Sequence, residues 1–566
     1  MENINSPSVV ITSIKFKNGQ KIDFNSDDIV LLVGANNVGK SRTLKDLRED
    51  LIENGGDKVL IDEVEYKEND FSKEQLIEFF KRNIGRDSQG NYIVPVSDDQ
   101  SHHFDHFSFE HLDENKKMFY KVLFSFLTTE NRLNITRPIR FGYNIEKNSF
   151  NILRKLEAHT DSIKTLNKNL KTAFDKAVDV YDYYVDDTIV KEYRIGKYDE
   201  ISSAVDLNEQ ERRDIVEKSE KLHEQGDGIR SAVAVLASLI VNEHSLFLID
   251  EPESFLHPPQ AKLIGKNLVD LSKGKQCFIS THDIDFIKGI VETDSSRVKI
   301  IKIDRIANDN TFNLISNDSI ISIANDKNLK YTNILDGLFY DRLVLCENES
   351  DCKLYAAILE NSDLPKYQNT LFCAVGGKDH FKKVIPLLKE LSIQYLIIAD
   401  IDLINNRGKL KQLLESVESG CYDNIREKHS EFLDKFEEQT NDQIKTQKTL
   451  KKEINDLFTK EKYMSSETSD RIKSLLKNIS SLKLLKSSGK SALPQGECVT
   501  LFNDVRNYLK EQGIFILECG EIERFISDVS GHGNDWLENV FEKYSDIDDP
   551  AFDDVKRFIK EVFAIK

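Results

Sequence analysis

The sequence predicts an α/β protein of two domains in series, each built on a largely parallel sheet with helices on its faces. Three observations carry this. Short apolar strands alternate with helical stretches, as strands joined by helical crossovers do. The alternation runs twice, once before about residue 335 and again after it. The chain has 566 residues, more than a single hydrophobic core serves.

The elements follow in chain order. Residues 8–34 alternate as strands: VVITSIKFKNGQKIDF contains an Asn-Gly turn, and DIVLLVG is a short, wholly apolar strand. From about 110 to 225 the periodicity is mainly helical. A helical arm is predicted over about 145–220, where ILRKLEAHTDSIKTLNKNLKTAFDKAV spaces apolar residues by three and four. Strands return at SLFLIDEP, QCFISTHD and RVKIIKID, which completes a first domain over 1–335. The second domain, 336–566, begins with RLVLCE, the helix SDCKLYAAILE, TLFCAVGG, the helix FKKVIPLLKEL and QYLIIADID. Residues 408–490 are polar, rich in Lys and Glu and almost free of proline. They predict an inserted, exposed helical hairpin with little core of its own, concerned with subunit or partner contacts. The strand GIFILECG resumes the domain at 513.

Composition narrows the function classes. Hydrophobic residues at 39% and charged residues at 31% give a soluble, globular balance. No apolar run reaches the length of a membrane span and the start lacks a signal-peptide pattern, so a cytoplasmic location without membrane contact is predicted. The seven cysteines are scattered and lack CxxC spacing, which argues against a disulfide framework or a zinc site. The formal net charge is −19, whereas proteins that bind nucleic acid by neutralising phosphates are usually basic. Either nucleic acid is not a ligand, or a limited groove grips it with the help of divalent ions.

Two constellations carry chemistry. GANNVGKS, Gly34 to Ser41, fits G-x-x-x-x-G-K-[ST] between an apolar strand and a helix. In that setting the backbone of Gly34, Asn36, Asn37, Val38 and Gly39 wraps phosphates at a helix N-terminus. Lys40 adds charge at the outer phosphates and Ser41 offers a hydroxyl to Mg²⁺. LFLIDEP supplies the partner: Asp250 ends a strand and holds Mg²⁺, and Glu251 orients the attacking water. In the second domain Glu347 ends one strand and Asp351 opens the following helix, while LIIADID places Asp400 and Asp402 at the end of another. Side chains alternate along a strand, so these two aspartates share a face, and such crowding calls for a cation between them. Carboxylate oxygens suit Mg²⁺ or Mn²⁺, and two such ions on four carboxylates activate water and stabilise a leaving oxygen in phosphodiester cleavage.

The first constellation resembles an ABC-type ATPase head of the kind found in DNA-repair and SMC-like proteins. QGDGIRSAVAVLASL (225–239) resembles that family's signature segment without its usual Ser-Gly-Gly core, which implies that Gly226, Gly228 and Arg230 meet ATP held by an opposite subunit. CFISTHD resembles the switch segment and implies that His282 lies near the γ-phosphate, whereas His257 reads as structural. A signature acting in trans implies a homodimer or higher homo-oligomer. The second constellation resembles a TOPRIM domain, with Asn348 where a glycine is usual. GIFILECGEIERFISD resembles the later strand of that fold and implies Glu523 as a further metal ligand, with Glu521 and Glu518 behind it. SGHGNDWLENVFEK resembles the C-terminal part of the group, whose nuclease members use a lysine there. Lys543 and Lys556 are the candidates, with His532 nearby.

An ATPase head followed by TOPRIM is the architecture of the OLD (overcoming lysogenisation defect) family. The resemblance implies an ATP-regulated, metal-dependent DNA endonuclease of anti-phage defence, with ATP, Mg²⁺ or Mn²⁺ and a DNA substrate. Some members pair with a retron reverse transcriptase and its DNA–RNA product, so that partner, or another defence protein, is implied as open to this chain. A second reading stays open beside it: an ATPase assembly subunit whose TOPRIM-like domain binds metal or a partner without cutting. The four acidic positions favour the first reading. The overall acidity and the unassigned lysine favour the second.

Overall fold

A computed structural model describes residues 6–564 apart from 53–57, 87–90, 96–100, 105–115, 143–151, 187, 307–308, 362–368, 441–446, 459–463 and 478–480. The chain divides into two compact units, Met1–Ile321 and Ser322–Lys566. The division precedes the expected 335, and the turn Ile334–Phe339 packs within the second unit. There Leu335 and Leu338 are buried, and a Cβ added at Gly337 would meet Ile393 at 3.4 Å and Leu343 at 3.5 Å. No helix among the described residues is long and apolar enough to cross a membrane.

The first unit is organised by a sheet of β1 (Ile29–Val33), β2 (Phe124–Leu127), β3 (Leu246–Asp250), β4 (Gln276–Ser280), β5 (Val298–Ile306) and β6 (Asp309–Ile315), in the order β6-β5-β1-β4-β3-β2. All neighbours are parallel except β5 and β6. β1 is wholly apolar and β3 and β4 are apolar in their interiors because the sheet is buried, one face packing on Val9, Ile11, Ile14 and Phe16. Register brings the site together: Asp250 lies opposite Ser280, and Ser280 opposite Leu32. Asp250 and the loop leaving β1 therefore emerge at the same carboxyl edge, where parallel sheets bind ligands.

The stretch expected to be a helical arm is mixed. The helix Thr160–Phe174 is present, but Asp175 ends it in left-handed geometry at φ 53°. An antiparallel hairpin of Lys176–Val185 and Thr188–Lys197 follows, pairing Val178 with Ile195. The density of β-branched and aromatic residues, including Val178, Val180, Tyr181 and Tyr183, favours strand over helix once the capping residue has broken the helical period.

The second unit holds a parallel sheet of β7 (Arg342–Cys346), β8 (Thr370–Ala374), β9 (Tyr395–Ala399) and β10 (Ile514–Ile516), in the order β8-β7-β9-β10. Its core includes Val344, Leu354, Ile398, Phe515 and the fully buried Trp536. In place of one exposed hairpin, five helices lie between 407 and 488 among the described residues. Those at the base are core elements. Leu410, Leu413 and Leu414 are buried on one helix and Phe432, Leu433 and Phe436 on the next, where Phe432 stacks on Phe436 and packs against Phe502. Gln447–Asp456 buries nothing. High charge hid the apolar residues that recur every three or four positions in the base helices.

Candidate functional site

The phosphate loop is shaped by close backbone approach. A Cβ at Gly34 would stand 2.2 Å from the Ile303 carbonyl and one at Gly39 would stand 2.6 Å from Leu60, and both residues have positive φ, as does Asn37 at 65°. Lys40 is buried and donates to the carbonyls of Gly34 and Ala35 at 2.8 and 2.9 Å, with burial drawing its pKa down. The Ser41 hydroxyl donates to Asp250 Oδ1 at 2.7 Å. Two oxygens that can hold one Mg²⁺ are thus already adjacent.

Glu251 lies one residue on at φ 47° and His282 Nδ1 stands 3.2 Å from its Oε1. That hydrogen bond holds the Glu251 carboxyl below its usual range and raises His282. Two members of this site had no motif to mark them. Glu253 is fully buried, accepts from the Thr281 hydroxyl and the His282 N–H, and is pushed up to about 7 by burial. Arg132, also buried, donates to the backbone carbonyls of Asp250 and Glu251 and, at 2.8 Å, to Ser231. It ties β3 to the helix Asp227–Val241 that the signature-like segment forms. On that helix Gly228 abuts the Phe255 carbonyl, which an added Cβ would approach to 2.5 Å, and Arg230 is engaged by Asp227 and Leu133. Gly226, Gly228 and Arg230 are not among the groups gathered at Lys40 and Asp250. His257 caps the helix Pro258–Leu271, a structural role.

In the second unit Glu347, Asp400 and Asp402 offer ligand oxygens all within 4.8 Å of one another. The strand does not carry both aspartates as alternation implied: β9 stops at Ala399, Asp400 caps a 3₁₀ turn over Ile401–Asn405, and Asp402 lies in its first turn. That turn, rather than a pleat, points them together. The Asp400 N–H donates to Glu347 Oε1 at 3.2 Å, and the N–H groups of Gly376 and Gly377 hold the Glu347 carbonyl. Burial and Asp402 raise the Glu347 pKa, and burial and Glu347 push Asp400 up to about 8. Asp402 Oδ1 is buried without a hydrogen-bond partner. A crowded, all-oxygen donor set with an unsatisfied oxygen fits a hard divalent cation such as Mg²⁺ or Mn²⁺.

The other acidic candidates separate. Asp351 is buried, accepts from the Asn348 N–H at 3.1 Å and is pushed up to about 6, chiefly by burial. It caps its own helix and stands outside the three-carboxylate cluster. Asn348 has an extended φ of −131°, so the turn needs no glycine. Glu523 accepts from the Gly533 N–H at 2.9 Å and pairs with His532. Glu518 is committed to Arg506 and Lys490. The two lysine candidates are corrected: Lys543 pairs with Asp528 and Lys556 with Asp548, neither of them a member of the acidic cluster. The lysines at the cluster are Lys378, 2.5 Å from Asp402 Oδ2, and Lys486, 3.5 Å from the same atom. Neither lies in a stretch with a recognisable motif.

Crowding has a measurable cost. With Asp400 near 8 in the folded, metal-free protein and 3.8 as its ordinary value, the folded state holds more protons between about pH 4 and 8. Stability therefore falls as pH rises through that window. Asp400→Asn is expected to flatten the slope and to stabilise the second unit in EDTA at pH 8 by on the order of 2 kcal/mol. Urea unfolding followed by fluorescence of Trp536, the sole tryptophan, reads this unit directly; an unchanged slope between pH 5 and 8 would refute the assignment.

Comparisons with known proteins agree with this division. The family described as "AAA domain, putative AbiEii toxin, Type IV TA system" matches residues 29–287, and that described as "Overcoming lysogenization defect protein-like, TOPRIM domain" matches 338–402. Endonuclease GajA of Bacillus cereus (strain VD045) is 23% identical over 450 residues, covering 70% of this chain and 75% of that protein. Old nuclease of Escherichia phage P2 is 25% identical over 200 residues, 31% of this chain and 33% of its own length. Among solved structures, the SMC head domain from Thermotoga maritima aligns over 55% of this chain and 99% of its own at 13% identity, with a TM-score of 0.28. The chain thus joins a P-loop ATPase domain to an OLD-like TOPRIM domain, and it is similar in sequence to an endonuclease and to a nuclease.

Proposed function

We propose that this protein is an ATP-regulated, divalent-metal-dependent DNA endonuclease serving anti-phage defence, with residues 1–335 as its ATPase domain and 336–566 as its nuclease domain. The convergence of Glu347, Asp400 and Asp402 at the carboxyl edge of the second sheet carries the reading. A divalent ion held by these three carboxylates supplies water activation and stabilisation of the leaving oxygen. The chain's own part is to orient the carboxylates through the Glu347–Asp400 hydrogen bond and to present Lys378 and Lys486 beside them as cations for a phosphodiester. The relatives' names, an endonuclease and a nuclease, support the same class. Asp351 and Glu523 are the groups for a second ion.

In the ATPase domain Lys40 neutralises the outer phosphates, Ser41 and Asp250 hold Mg²⁺, and Glu251 with His282 positions the attacking water. Gly228 acts across a homodimer or larger assembly. Partner proteins of a defence system, a retron reverse transcriptase with its DNA–RNA product among them, belong to the same reading. The test is incubation of the purified protein with plasmid and Mn²⁺, with and without ATP. Cleavage is expected, and its absence under every condition would favour an assembly subunit whose TOPRIM domain does not cut.

Glu251→Gln is expected to keep nucleotide binding within about threefold of wild type and to lower ATP hydrolysis about 100-fold or more, since the amide fills the same space but takes no proton. Fluorescent-nucleotide binding and phosphate release measure the two halves. Lost binding would make Glu251 a structural residue.

A further inference from the structure

The base of the insert delivers a side chain into the acidic site. The helix Ser481–Ser488 ends against the loop after β10, where two glycines permit the contact. A Cβ at Gly520 would stand 2.3 Å from the Lys486 carbonyl, and one at Gly489 would stand 2.3 Å from the Glu518 carbonyl. Both have positive φ, and the Lys490 N–H donates to Glu518 O at 2.7 Å. The same loop binds the turn that carries the aspartates, through Ile401 N–H to Gly520 O at 3.0 Å. Lys486 is therefore fixed by backbone contacts on both sides, and only its long stem is free to turn.

Its ammonium lies among three carboxylates without being seated on any one: 3.5 Å from Asp402, 3.7 Å from Asp400 and 4.0 Å from Glu521. Lys378, at 2.5 Å, is the tight partner of Asp402. A charge at such distances is held by the summed field, and a divalent ion, with twice the charge and direct coordination, outcompetes it. The lysine has somewhere to go. Its side chain is 41% exposed and lines a cavity of about 660 Å³, together with Lys483, Arg524, His532 and the carboxylates Glu521 and Glu523. That volume suits a nucleotide-sized group, and a lining that mixes basic side chains with carboxylates suits a phosphate that arrives with a divalent ion.

We propose that Lys486 is a tethered counter-cation: it offsets the charge of the Asp400–Asp402 pair until a divalent ion arrives, then turns into the cavity to hold a phosphate of the DNA strand. The first half is independent of the nuclease reading and the second rests on it. Lys486 is thus a positioning residue of the metal site and a phosphate ligand in turn.

Mn²⁺ binding without nucleotide, followed by loss of the free-ion electron paramagnetic resonance signal with Asp402→Ala as the blank, tests the first half. Lys486→Met and Lys486→Gln, each checked for native Trp536 fluorescence, are expected to bind Mn²⁺ about tenfold more tightly than wild type, because the competitor is gone. Lys486→Arg keeps the charge and is expected to stay near wild type. At saturating Mn²⁺ the Met and Gln variants are expected to cleave plasmid about 100-fold more slowly. Unchanged or weaker Mn²⁺ affinity overturns the counter-cation role, and wild-type cleavage overturns the phosphate role. Wild-type protein that binds Mn²⁺ but cuts no DNA would sink the nuclease reading and the phosphate role together, with the affinity comparison still deciding the first half.

Discussion

Asp402→Ala is expected to abolish plasmid cleavage, by about 1,000-fold or more, while ATP hydrolysis stays within about twofold of wild type. Asp402 contributes one of the three converging oxygens, and the ATP-binding groups belong to the other compact unit. Parallel assays of Mn²⁺-dependent nicking and phosphate release decide it. Unimpaired nicking would remove the cluster from the chemistry. Crowding alone predicts that losing an aspartate here stabilises the metal-free protein, but the two aspartates differ. Asp402 pairs with Lys378 and Lys486, so its removal leaves Lys378 without its close carboxylate. Relief of repulsion belongs instead to Asp400, whose carboxyl is held near 8.

Lys40→Ala has the next largest effect: ATP hydrolysis is expected to fall about 1,000-fold, with nucleotide affinity reduced as well. Besides removing charge from the phosphates, the substitution leaves the Gly34 and Ala35 carbonyls without the ammonium that organises the loop. Phosphate release together with nucleotide-binding titrations measures both consequences. Wild-type turnover would dismiss the P-loop assignment.

What the sequence made legible was whatever a short window encodes. Gly34–Ser41, Asp250 and Glu347 each sit where an apolar strand ends, and a strand end can be read from its neighbours. The aspartates of LIIADID were legible as a pair, but for a partly mistaken reason: a 3₁₀ turn gathers them, and residue alternation gives no sign of where a strand stops. Glu253 and Arg132 were invisible because their importance lies in burial, and an isolated charge among charges has no pattern. Lys378 and Lys486 were missed likewise, since the groups that give them meaning lie far along the chain. The hairpin Lys176–Lys197 was misread because the helix before it has so strong a period.

The insert begins beside Asp402 and ends beside Lys486, so both its feet stand on one site. Topologically it is a closed loop, and its closure makes the approach of those two charges an encounter within one molecule. The strands divide around it: β7, β8 and β9 precede the loop and β10 follows it. A protease nick in Gln447–Asp456, which buries nothing, would turn the second unit into two fragments held by packing alone. Native nicked protein would hide the cut. After unfolding, recovery would become a bimolecular reassociation, with a yield that rises with protein concentration.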